Sequence, residues 1–121
     1  TESELEILQV LWDIGPATVR QVHEVLEKTR DTGYTTSLKT MQIMHDKGLL
    51  TRDTSLRSHV YAPTQSRKQT ESHFVGKMIE GLYRGSAGRM VMGALSSKKI
   101  SSSELEEIKK FIASFEKPEK S

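Results

Sequence analysis

Residues 34–61 read YTTSLKTMQIMHDKGLLTRDTSLRSHVY. Thr35 and Thr36 are helix-start residues, since their hydroxyls can serve free backbone donors. An amphipathic pattern then runs through Asp46, and Lys47–Gly48 stops it. Leu38, Met41, Met44 and His45 fall on one face of this helix. Thr36, Lys39, Thr40, Ile43 and Lys47 fall on the opposite face. Two short β-like runs follow, Leu49 to Asp53 and Ser58 to Ala62, joined by a polar turn that carries Arg57. A helix with a small, polar outer face, followed at once by a basic hairpin, is the form in which a winged helix-turn-helix meets DNA.

The residues before this stretch complete that pattern. Leu5, Leu8 and Trp12, with Ile7, Leu11 and Ile14, repeat at helical spacing, and Gly15–Pro16 ends the first helix. Thr18 caps a second helix, with Gln21 placed to close a capping box. Val19, Val22 and Leu26 form its buried stripe. The order helix, helix, helix, hairpin predicts a winged-helix domain over residues 1–63. In that fold the third helix enters the major groove.

After Pro63 the pattern is purely helical. Phe74, Val75, Met78, Ile79 and Leu82 predict a helix from Ser66 to Arg84, with Gly85 at its C-terminal cap. Ser86 to Leu95 reads as a short helix with Met90, Val91 and Leu95 apolar. Ser101 and Glu104 make a capping box, and Ile100 and Leu105 a hydrophobic staple, for a last helix. Its Leu105, Ile108, Ile112 and Phe115 form a heptad-like seam. Glycines 76, 81, 85, 88 and 93 weaken this region locally. A seam on so short a helix needs something to pack on, and the polar surroundings offer little. Residues 64–121 are therefore read as a helical dimerisation region, with an ordinary helical subdomain of a monomer as the alternative. Phe74, Met78, Leu82, Met90, Val91, Leu105, Ile108, Ile112 and Phe115 are its contact residues. The fold class is mainly α with a small β-hairpin.

Composition narrows the function. The hydrophobic fraction of 35% is low for a self-contained globule, which favours a core completed by a second chain. The absence of cysteine excludes disulfides, thiolate catalysis and cysteine-built zinc sites. No apolar run reaches membrane-spanning length and no signal peptide is visible, so a cytoplasmic protein without membrane insertion is expected. Net charge is +2 over the whole chain. Residues 1–63 carry 7 basic against 9 acidic groups, and residues 64–121 carry 11 against 7. The half that looks like a DNA reader is thus not basic overall. Within 34–61 the balance is positive, because Lys39, Lys47, Arg52 and Arg57 face only Asp46 and Asp53.

The candidate roles follow. Thr36, Lys39, Thr40 and Ile43 are placed to read base edges, Ile43 either through thymine methyl groups or standing simply as a stray exposed apolar residue. Thr18, Tyr34, Thr35, Lys47, Arg52, Arg57 and His59 are placed to hold phosphates. Tyr61 is expected to pack under the wing. His23, His45, His59 and His73 have no paired ligand spacing, so no metal site is expected. His45, on the core side of its helix, reads as a satisfied structural histidine. No nucleophile–base constellation, phosphate-binding glycine loop or carboxylate pair is visible, so neither an enzyme nor a cofactor is expected.

With these residues in view, the chain resembles the BlaI/MecI/CopY family of bacterial repressors. The likeness rests on Glu4, Leu8, Leu11 and Trp12, on Thr18 to Val22 with His23 and Glu24, and on Tyr34, Thr35, Thr36, Met41, Met44, Lys47 and Gly48, followed by Arg52, Arg57 and Tyr61. The resemblance implies a homodimeric repressor on a dyad operator of double-stranded DNA. It also implies a membrane metalloprotease sensor that relieves repression by triggering cleavage of the repressor. Three departures stand out. Ser37, Lys39 and Ile43 replace the apolar residue, threonine and arginine usual in the family. Gly93–Ala94 stands in place of the cleaved Asn–Phe pair. The C-terminal cysteine cluster of the copper-responsive branch is missing. A sequence-specific, dimeric transcriptional repressor is thus the leading expectation. A winged helix that docks proteins without binding DNA is the second, supported by the acidic balance of residues 1–63.

Overall fold

The order of elements follows from where the backbone can turn. In the computed structural model, which describes residues 1–97 and 99–116, α1 (Glu2–Ile14) ends at Gly15, whose φ of 87° is left-handed. Glycine takes that conformation without the steric penalty of a Cβ. The next helix, α2 (Val19–Leu26), starts at Thr18 through a closed capping box. Thr18 Oγ1 accepts from the Gln21 N–H at 3.2 Å, and Gln21 Oε1 accepts from the Thr18 N–H at 2.9 Å. The third helix, α3 (Tyr34–Asp46), ends at Lys47–Gly48, where Gly48 again has positive φ. Two antiparallel strands follow, β1 (Leu50–Asp53) and β2 (Val60–Pro63), in the register Leu50↔Pro63 to Asp53↔Val60. Ala17 pairs with Tyr61 through two backbone bonds of 3.0 and 2.8 Å, so the α1–α2 turn becomes a third edge of the wing. Three more helices complete the chain, α4 (Arg67–Gly81), α5 (Ala87–Ser97) and α6 (Ser102–Phe115). The result is a winged helix followed by C-terminal helices, as the sequence pattern predicts.

The chain divides into a compact unit Thr1–Phe74 and a second unit starting at Val75. The core of the first is shared by α1, α2, α3 and the wing. Leu11, Val22, Met41, Met44, Leu50 and Tyr61 are at most 2% exposed. Tyr61 is therefore a packing residue beneath the wing, as expected. At the edge, Trp12 Nε1 donates to the Gln65 carbonyl at 3.1 Å. Arg67 lies over the Trp12 ring and donates to Asp13 Oδ1 at 2.7 Å. These contacts attach the start of α4 to α1.

Four local expectations need correction. Leu5 and Ile14, which share the helical repeat of α1, are 41% and 48% exposed, because the buried face runs through Ile7, Leu8, Val10 and Leu11 instead. Thr35 and Thr36 do not cap α3. The helix begins one residue earlier, with Gly33 as N-cap and no side-chain cap bond. His45 is not satisfied, since its buried Nδ1 lacks a hydrogen-bond partner and the nearest Asp46 oxygen is 3.6 Å away. At α6, Ser101 Oγ accepts from the Glu104 N–H at 3.1 Å, but the return bond from the Glu104 carboxylate is not made.

In the second unit no side chain of the described helices is fully buried. Met78, Leu82, Val91, Met92, Leu105, Phe111, Ile112 and Phe115 all stand more than a third exposed. Tyr83 packs against α5 at Gly93, where an added Cβ would sit 3.1 Å from the Tyr83 hydroxyl. Gly93 thus allows one close approach, whereas Gly76 and Gly81 have nothing within 4 Å of where a Cβ would be.

One ion pair links the two ends of the first unit's helical layer. Lys47 Nζ, just past α3, donates to Glu4 Oε2 of α1 at 2.7 Å. The Glu4 side chain is only 12% exposed. The ammonium holds the Glu4 carboxyl below its ordinary value of 4.5, against the opposing effect of burial. A depressed carboxylate pKa contributes stability above the unfolded value and loses it as pH falls through the folded one. The stability difference between the parent and Lys47→Met should therefore be largest near neutrality and shrink below about pH 4, measured by urea unfolding across pH. Met41→Ala should cost about 2–5 kcal/mol in the same assay, because Met41 is 0% exposed. Ile43→Ala, two positions away and 44% exposed, should shift stability by no more than about 0.5 kcal/mol.

Candidate nucleic-acid interface

Burial of Met41 and Met44 sets the rotation of α3, and at 3.6 residues per turn the residues opposite them must face water. Thr36, Lys39 and Ile43 do so, and Gln42 joins them. Thr40 is half-buried, and its hydroxyl donates back to the Thr36 carbonyl at 2.8 Å, leaving an oxygen lone pair as its outward group. The exposed face therefore offers a cation, an amide, two hydroxyl-bearing side chains and one branched apolar group. These are the groups that suit base edges and thymine methyls. Lys47 belongs to this face by spacing, but the structure turns its ammonium onto Glu4.

The wing tip is held by a local turn. Asp53 Oδ1 accepts from the Ser55 N–H at 2.9 Å and from the Ser55 hydroxyl at 2.7 Å. The backbone bond first, and the hydroxyl second, lower the Asp53 pKa. Beyond this turn Arg57, Ser58 and His59 are exposed. They line an open cleft of about 380 Å³ whose other walls are the start of α2 and the side of α3. Thr18 and Tyr34 line it too, so four of the residues expected to hold phosphates meet in one place. The other three do not line it. Thr35 is exposed on the first turn of α3, Lys47 is paired with Glu4, and Arg52 is half-buried on β1 with an unpartnered Nε.

Several residues of this region escaped the sequence reading. Arg20, Gln42 and Ser58 line the cleft. Gln42 was legible, being one residue from Met41 and Ile43 on the polar side of the helix. Arg20 was not, because its contact with Tyr34 crosses from α2 to α3. The link His23 to Ser37 was also hidden: Nδ1 and Oγ lie 3.0 Å apart with both residues buried. His23 Nε2 is 3.2 Å from Glu27, and the ring meets Tyr34 edge-on at 5.6 Å. A carboxylate, an imidazole and a serine in series resemble a nucleophilic constellation. Ser37 is only 2% exposed, however, so no substrate reaches it, and the chain of contacts clamps α2 to α3. Among the described residues no group of His, Asp and Glu side chains is arranged to hold a metal ion.

Comparison with known proteins agrees with this architecture. The penicillinase repressor family matches residues 1–114. Two relatives, each named transcriptional regulator BlaI, come from Mycobacterium tuberculosis strains CDC 1551 / Oshkosh and ATCC 25618 / H37Rv. Each is 36% identical over 80 residues, which is 65% of this chain and 56% of the relative. The match thus spans little more than half the length of those relatives. It is a family of transcriptional repressors, not of enzymes. On the match across nearly its full length, the chain belongs to the penicillinase repressor family.

Proposed function

We propose that the protein is a sequence-specific, DNA-binding transcriptional repressor that acts as a homodimer on a dyad operator. The observation that carries this reading is the cleft that joins the wing to the side of α3. It sets Arg57 and His59 beside a helix whose outer face is Thr36, Lys39, Thr40 and Ile43. In this reading those four α3 residues face the major groove, and Thr18, Tyr34, Thr35, Arg57 and His59 follow the phosphates. Lys47 joins them only by leaving Glu4, and Arg52 stiffens the wing from within.

The dimer reading draws on the second unit. In it Leu82, Met92, Phe111 and Phe115 are between 65% and 73% exposed. Large apolar groups exposed along successive helices, with Phe111 and Phe115 packed ring to ring, suit an interaction surface. A second copy supplies an identical surface and gives the twofold symmetry that a dyad operator requires. Two copies of α3 then lie one DNA turn apart, about 34–36 Å between half-site centres.

A cytoplasmic site of action fits this role. A membrane metalloprotease sensor is the inducer that the family resemblance implies. Gly93–Ala94 would be a poor target for it, since the pair lies inside α5 and departs from the Asn–Phe pattern.

Binding to duplex DNA by anisotropy tests the reading. Arg57→Ala should weaken binding to every sequence and lower the salt slope by about one. Lys39→Ala should instead change which sequences are preferred. Absence of salt-dependent binding by the parent would favour a protein-docking winged helix. For assembly, light scattering should give twice the chain mass for the parent and a lower mass for Ile112→Glu. A monomeric parent would remove the dimer reading.

A further inference from the structure

Arg20 is the second residue of α2; it lines the cleft but is not among the base-reading or phosphate-holding residues named above. Its guanidinium lies 5.1 Å from the centroid of the Tyr34 ring, the geometry of a stacked cation. The stack crosses from α2 to the first residue of α3 and fixes a long, flexible side chain in place. Tyr34 is itself held at its edge by the buried His23 ring. Arg20 and Tyr34 form one wall of the cleft, and Arg57 and His59 form the other.

The cleft is built for an anion. No acidic residue lines it. Among the described residues neither Arg20 nor Arg57 has a carboxylate within ion-pair distance, whereas Arg30, Lys47 and Arg67 each have one. At the start of α2, the capping box engages the N–H groups of Thr18 and Gln21. The N–H groups of Val19 and Arg20 between them have no partner among the described residues. Two arginines thus line the opening together with the first residues of α2, where the unpartnered Val19 and Arg20 N–H groups carry the positive end of the helix dipole. A planar guanidinium suits two oxygens of one phosphate better than an ammonium does.

We propose that Arg20, stacked on Tyr34, and Arg57 clamp one backbone phosphate of duplex DNA between the start of α2 and the wing. This rests on the DNA-binding reading above and adds a site to it. Arg20 makes the contact; Tyr34 is the positioning residue that orients it. The clamp carries no sequence information and sets how deeply α3 sits in the groove.

The test uses the full chain and two unrelated labelled duplexes of random sequence, titrated across a salt series. Arg20→Gln should weaken binding to both duplexes by the same factor, about fivefold near physiological salt, and lower the salt slope by about one. Arg20→Lys should keep the slope and lose part of the affinity. Tyr34→Ala should weaken binding by a smaller factor in the Arg20→Gln background than in the parent, because part of its effect passes through Arg20. A parent that binds and an Arg20→Gln variant with an unchanged slope would overturn the clamp alone. A parent without salt-dependent binding to either duplex would overturn the clamp and the DNA-binding reading together.

Discussion

Everything on the outer surface of the first unit depends on the burial of Met41 and Met44, both 0% exposed. A helix side chain cannot be buried without committing the residues half a turn away to water. Two methionines at a spacing of three therefore fix the rotation of α3 about its axis. That rotation decides that Lys39 and Ile43 face out and Ser37 faces in. It also brings Ser37 against His23 at 3.0 Å, which ties α3 to α2 by a polar contact as well as an apolar one. Because α2 begins at Thr18 beside the wing, the same packing sets the width of the cleft between Arg20 and Arg57.

The charge balance of the first unit makes physical sense in this light. Its carboxylates outnumber its basic groups over residues 1–63, which argues against a nucleic-acid partner if charge is only counted. In space, several of those carboxylates are engaged within the protein. Glu4 holds Lys47, Glu6 holds Arg30, Asp13 holds Arg67 and Glu27 meets His23. Apart from Glu4–Lys47, whose carboxylate is largely buried, exposed pairs of this kind contribute little stability. Their larger effect is on the surface field, because they neutralise one another, while among the described residues Arg20, Lys39 and Arg57 have no carboxylate within ion-pair distance. A field is set by where charges lie, and the sum over the chain is a poor guide to it.

The fold was legible because local signals agreed. The Thr18–Gln21 box, the Gly15 and Gly48 stops and the apolar stripes of α2 and α3 all belong to short sequence windows, and each is found where its residues placed it. What failed was also local in origin. The Thr35–Thr36 pair looked like a cap, yet Gly33 supplies the extended conformation that a cap needs. Leu5 and Ile14 fit a helical repeat, but the repeat alone does not say which arc of it finds a neighbour. Contacts between elements were not legible. Neither the Arg20–Tyr34 stack, nor the His23–Ser37 link, nor the Glu4–Lys47 pair follows from any spacing, since each joins residues that only the assembled fold brings together.

The two units offer different surfaces: one polar and pre-shaped, the other apolar and uncovered. In the proposed dimer on a dyad, the uncovered apolar groups would find a partner and α3 would be presented twice. The most direct measurement of this claim is selection of bound duplexes from a random pool by the full chain. The account predicts enrichment of an inverted repeat with half-site centres about one helical turn apart, and guanine methylation in the major groove of each half should block binding. Recovery of an unrepeated motif, of no motif at all, or of binding indifferent to major-groove methylation would contradict it.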